Sequence, residues 1–186
     1  MRLLLLILPA LALGPSVATS QQPEHRSAPV NDVRHRREGF WFNAGLGYGS
    51  GSCLDCNVRE GALSGGLALG GALSQKLMLG AGVNQWWNSV EGGTLTVGTI
   101  AALIRFYPSA TGGFFLLGGL GLGTMHRYAP NFGSDTQTGF GAIAGVGLDI
   151  RVARNVSLTP FWNGFVVVVT DADANVGQIG LGVTVH

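Results

Sequence analysis

The feature that most constrains this chain is a strict alternation of apolar residues with small or polar ones. In Leu77–Trp87, Leu77, Leu79, Ala81 and Val83 fall on one face, and Met78, Gly80, Gly82, Asn84 and Trp86 fall on the other. In Phe140–Val152, Phe140, Ala142, Ala144, Val146, Leu148, Ile150 and Val152 alternate with Gly141, Ile143, Gly145, Gly147, Asp149 and Arg151. The end of the chain repeats the device, with Ile179, Leu181, Val183 and Val185 set against Gln178, Gly180, Gly182 and Thr184. A period of two marks strands with one apolar face. Eight such segments are read, at approximately 39–49, 61–73, 77–87, 93–107, 113–125, 138–152, 157–170 and 175–186. Strands of ordinary domains run about five or six residues. A tilted strand needs about 9–11 residues to cross hydrocarbon. The apolar residues form no uninterrupted run of about 18, so spanning helices are not expected.

A strand in hydrocarbon must pair every backbone N–H and C=O within the protein, so a spanning sheet must close on itself. The expected fold is all-β: an eight-stranded antiparallel up-and-down transmembrane β-barrel over residues 39–186. Composition agrees. The chain has only 21 charged residues among 186, 11 Lys+Arg and 10 Asp+Glu, too few for a disordered protein of ordinary type. Its 31 Gly show no period of three and accompany only 7 Pro, which excludes collagen. Instead many occupy the inward parity, among them Gly45, Gly47, Gly80, Gly82, Gly119, Gly121, Gly145, Gly147, Gly180 and Gly182. A net charge of +1 gives no electrostatic case for nucleic-acid binding.

The connections alternate in character. Short turns are expected at 74–76, 108–112 and 153–156, with long loops at Ser50–Glu60 and His126–Gln137 on the opposite side. Short periplasmic turns and longer outer loops are the pattern of bacterial outer-membrane barrels. An even strand count returns both termini to the short-turn side. The outer connections hold six acidic residues (Asp55, Glu60, Glu91, Asp135, Asp171 and Asp173) against Arg59 and Arg127.

Ahead of the barrel, Met1–Ser20 has one Arg, the apolar run Leu3–Leu13 and small residues at Ala18 and Ser20, the layout of a cleaved secretory signal. Residues 21–38 carry two Pro and a cluster of charge, and read as a flexible periplasmic N-terminal tail. The predicted location is therefore the bacterial outer membrane.

Aromatic residues cluster near strand ends, where interface anchors are expected: Phe40, Phe42, Tyr48, Trp87, Phe106, Tyr107 and Phe114. The patterns GFWFNAGLGYG, LSGGLALGGAL and the terminal GQIGLGVTVH resemble the outer-membrane-protein beta-barrel domain family, with opacity-type and OmpA-like eight-stranded barrels nearby. The resemblance covers about residues 39–186. It implies insertion by the barrel-assembly machinery, lipid as the main partner and a monomer. The chain departs from the family habit of an aromatic last residue, ending at His186.

Three groups of residues carry candidate chemistry. Cys53 and Cys56, in an exported chain, favour a disulfide across the first outer loop; exchanging thiols or half of a metal site are the alternatives. Arg105, Asp149 and Arg151 are charges within strands, and parity points all three inward, where a pair filling the lumen is expected. His126 shares its segment with Ser134 and Asp135, but no recognisable catalytic spacing joins them. No catalytic activity, cofactor or metal is expected. The leading expectation is a structural or surface-interaction protein. A narrow channel or carrier for small apolar molecules is the alternative, with Trp41, Trp86, Phe161 and Phe165 lining or plugging the lumen. A lipid-modifying enzyme is the third reading.

Overall fold

The computed structural model describes residues 37–53, 58–90, 92–131, 133–170 and 172–186. The expected signal segment, most of the expected N-terminal tail and Cys56 lie outside them. The described residues form β1 (Phe40–Cys53), β2 (Glu60–Ala72), β3 (Leu77–Val90), β4 (Gly93–Phe106), β5 (Phe114–Ala129), β6 (Gly133–Leu148), β7 (Ile150–Arg151), β8 (Val156–Val168) and β9 (Asp173–Val185). β6 and β7 are one stave broken at Asp149, so the barrel has eight staves. Each pairs antiparallel with its sequence neighbours. β1 pairs with β9 from Phe42↔Val185 to Cys53↔Ala174, and the ring has no free edge.

Alternation dictates which side chains face out. Leu46, Leu63, Leu67, Leu69, Ile100, Leu120, Leu122, Ile179 and Leu181 are exposed on the outer wall. The strand-borne Arg105, Arg127 and Arg151 all share the opposite, luminal parity. Such a belt has no stable place in water, where large contiguous apolar patches are rare on monomers. In hydrocarbon it needs no further cover, so the chain is a transmembrane barrel.

The terminal rim has the short turns expected of it, whereas the distal rim differs from expectation. At the terminal rim, where the described residues begin at Arg37 and end at His186, the connections are tight. In the first, Leu73 N–H donates to Leu77 O, and Ser74 Oγ accepts from the N–H groups of Lys76 and Leu77. At the distal rim the strands run further than expected. β1 runs on to Cys53, β5 to Ala129 and β6 begins at Gly133. His126–Gln137 is therefore mostly ladder, with only 130–132 between the strands. The reason is physical: once strands leave the apolar layer both faces are polar, so alternation stops while backbone pairing continues. Gly92 and Gly133, with φ of 94° and 80°, stand at two of the distal connections in the left-handed region that favours glycine.

Candidate binding site at the distal mouth

The lumen is built from the inward parity of all eight staves and divides into three levels. At the terminal level it is plugged. Trp41, Met78 and Phe115 are fully buried there. The Arg105 guanidinium lies 4.2 Å from the Trp41 ring centroid and 4.8 Å from that of Phe115. Asp149 accepts from the Tyr107 hydroxyl at 2.8 Å and from Thr159 Oγ1 at 2.8 Å, and stands 3.5 Å from His186 Nε2. Among the described residues Arg105 and Asp149 form no direct salt bridge. Arg105 stacks on rings, while Asp149 is held by hydroxyls and the last residue of the chain. Arg151 follows Asp149 on the same stave and is half-buried.

Tyr107 does not belong with the interface aromatics. Its ring is wholly buried, because parity carries it inward two residues after Arg105. Burial first, and then the Asp149 carboxylate, push its hydroxyl well above the ordinary phenol range. Phe40, Phe42, Tyr48, Phe106 and Phe114 do face outward and exposed, and Trp87 is half-buried.

Arg37 also departs from expectation. The sequence puts it in the N-terminal tail, yet it is 1% exposed and fills the terminal mouth. Its guanidinium sits 3.5 Å from the Tyr107 ring centroid and donates to Gln75 O and Ala110 O, each at 3.2 Å, and to Gly112 O. Its backbone N–H donates to Gln75 Oε1 at 2.9 Å. Arg37 is therefore part of the barrel body.

The middle level is polar and narrow. Gln178 Nε2 donates to Asn84 Oδ1 at 3.1 Å, with Thr99 and Ser64 buried nearby in the sheet. Inward glycines accommodate the rings. A Cβ on Gly49 would stand 2.6 Å from the Trp86 indole, and one on Gly147 would stand 2.3 Å from the Phe115 ring.

At the distal level the lumen opens into a cup of about 590 Å³, within the range of roughly 300–1,000 Å³ typical of small-molecule sites. Trp86, Val97, Met125 and Val176 form its floor, and Leu95 and Ala174 line its wall. Trp86 Nε1 donates to Gly49 O at 3.0 Å, which fixes the indole. Polar groups sit only at the rim. Asn88 donates to the Glu60 carboxylate, and Arg127 rests one Nη 3.5 Å from Met125 Sδ with its charge exposed. Parity alone could have found this floor, since Val97, Met125 and Val176 all share the inward phase.

The other candidates are not brought together. His126 Nδ1 bonds Thr136 Oγ1 at 2.8 Å on the outer face, opposite Thr96 of β4. Asp135 is one residue out of phase with Thr136 and turns to the lumen, so no His–Ser–Asp arrangement forms. Cys53 ends β1, and the disulfide expectation falls outside the described residues.

No protein-family model and no curated protein matches the chain. Solved structures do. Ail, the attachment invasion locus protein of Yersinia pestis, in complex with the heparin analogue sucrose octasulfate, aligns at a TM-score of 0.62 and 16% identity, over 79% of this chain and 99% of that one. Neisserial surface protein A aligns at 0.61 and 18% identity, over 81% of this chain and 98% of that one. With its closed eight-stave ring and apolar outer wall, the chain has the fold of the small outer-membrane barrels.

Proposed function

We propose that the protein resides in the bacterial outer membrane with its distal rim at the cell surface, and that it works by binding at the distal cup. It is not a conduit or a catalyst in this reading. The observation that carries the reading is the pairing of an open cup with a plugged lumen. Trp41, Arg105, Phe115, Tyr107 and Arg37 fill the terminal half. An eight-stranded barrel has an interior only just wide enough for side chains, and here they occupy it. The ligand class that fits is a small apolar molecule with one polar group: the floor offers rings, Met and Val, and the rim offers Glu60 and Arg127.

The Ail structure was obtained with a heparin analogue. A polyanion finds little purchase on this chain, whose outer connections hold six acidic residues and two basic ones. The apolar floor also supports the second reading, a carrier that passes small apolar molecules inward. The two separate in one experiment. Purified barrel is reconstituted into vesicles and offered an environment-sensitive apolar fluorophore. Saturable binding lost in Val176→Arg, with no conductance step and no uptake, supports the cup. Uptake faster than into empty vesicles favours the carrier, and no saturable binding removes both.

A further inference from the structure

A guanidinium has five N–H donors and rarely survives burial without acceptors for them. Arg105 is an exception that asks for an explanation. It is 4% exposed, at the centre of the plug. Its two ring neighbours take the faces of the guanidinium and leave its edges free. Among the described residues Arg105 makes no hydrogen bond, and Nε and Nη1 are shielded from solvent without a partner. The nearest buried carboxylate does not serve. Asp149 spends its oxygens on Tyr107, Thr159 and His186.

A void lies against this residue. It measures about 30 Å³ and is lined by Arg105 together with Asn84, Asn163 and Thr159, with Phe115 and Leu103 among its apolar walls. A water needs about 10–15 Å³ of such space, so there is room for one group somewhat larger than a water. The amides are suited to donate. Asn84 uses Oδ1 to accept from Gln178, which leaves its Nδ2 for the void. Asn163 has a buried Oδ1 with no donor, and a half-turn of that amide presents N–H instead.

We propose that this void is a binding site for one small monovalent anion of halide size, held by the Arg105 edge and the two asparagine amides. Among the described residues two buried guanidiniums, Arg37 and Arg105, stand against one buried carboxylate, Asp149. A water would satisfy the donors but leave positive charge in excess. Such an excess is strongly unfavourable in the interior, and an anion meets both needs. The site is independent of the distal cup, which lies on the far side of the Asn84–Gln178 bond.

The test uses the full barrel refolded in detergent and dialysed into sodium gluconate, sodium chloride or sodium bromide at one ionic strength. Unfolding in urea should be at least tenfold slower in chloride or bromide than in gluconate. Crystals grown in bromide should show an anomalous peak within hydrogen-bonding reach of Arg105. Arg105→Met, if it still gives a folded band that shifts on boiling, should lose the halide effect and the peak. If that variant does not fold, the anomalous map of the parent decides alone. Water density only in the void, bromide only on surface residues as an adventitious ion, or an equal halide effect in Arg105→Met would overturn the proposal.

Discussion

Replacing Arg37 by Ala removes three side-chain hydrogen bonds and a cation–π contact in one step. The bonds reach carbonyls of two different turns, Gln75 in the first and Ala110 and Gly112 in the second. Hydrogen bonds from a charged donor contribute roughly 1.5–3 kcal/mol each, and a cation–π contact roughly 0.5–2 kcal/mol. Two effects oppose that sum. Water reaches the freed carbonyls at the mouth, and the side chain recovers about 2 kcal/mol of rotamer entropy. A net loss of about 2–3 kcal/mol is expected, a shift of roughly 30- to 150-fold in the folded-to-unfolded ratio. The assay is a urea titration of the refolded barrel, followed by tryptophan emission and by gel mobility before boiling. Arg37→Lys keeps the charge but loses the planar fork, so it should recover less than half of the loss. A transition midpoint for Arg37→Ala that coincides with the parent would falsify the idea that this residue latches the terminal mouth.

Other outcomes follow from the same geometry. Gly47→Ala places a Cβ 2.2 Å from the Ile179 carbonyl oxygen on the β1–β9 seam, whereas Gly177→Ala meets nothing within 4 Å. The first should destabilise by about 1–3 kcal/mol and the second should be neutral or slightly stabilising, as read by the same titration. Tyr107 has its ionisation raised, so the folded state holds this proton more tightly than the unfolded state. Its contribution is complete below about pH 10, where free phenols titrate, and is lost as pH rises through the raised value. Phenolate absorbance should therefore show one of the 3 tyrosines titrating late in the folded barrel, and Tyr107→Phe should abolish that late step. Finally, immobilised heparin should not retain the barrel at physiological salt; retention would show that the outer charge balance is not what governs polyanion contact.

Much of the architecture was legible because hydrocarbon imposes a rule on every second residue. The inward parity of Arg105 and Asp149 and the outward parity of Leu120 and Ile179 followed from that rule, and the structure bears these out. Where the rule lapses, periodicity carries no information. The distal strands pass beyond the apolar layer, so their ladder carries no periodic signal and looked like loop. Tyr107 and Phe106 are alike as aromatics, but adjacent residues on a strand face opposite ways, so residue type alone does not sort them. Arg37 was invisible for another reason. It lies among four consecutive basic residues in the sequence, Arg34, His35, Arg36 and Arg37. Nothing local distinguishes the one whose side chain is captured by turns 38 to 75 residues away.

The fitted glycines carry a consequence for anyone who would remodel this lumen. Trp86 lies against Gly49 and Gly51, and Phe161 lies against Gly45 and Gly180. Each ring and its bare neighbours act as key and keyway, so the inner contour is written twice: once as bulk and once as missing bulk. A drift in one member leaves either a hole or a collision, and only a paired exchange preserves the fit. An engineered bore through this barrel would need to trade keys and keyways together, tier by tier.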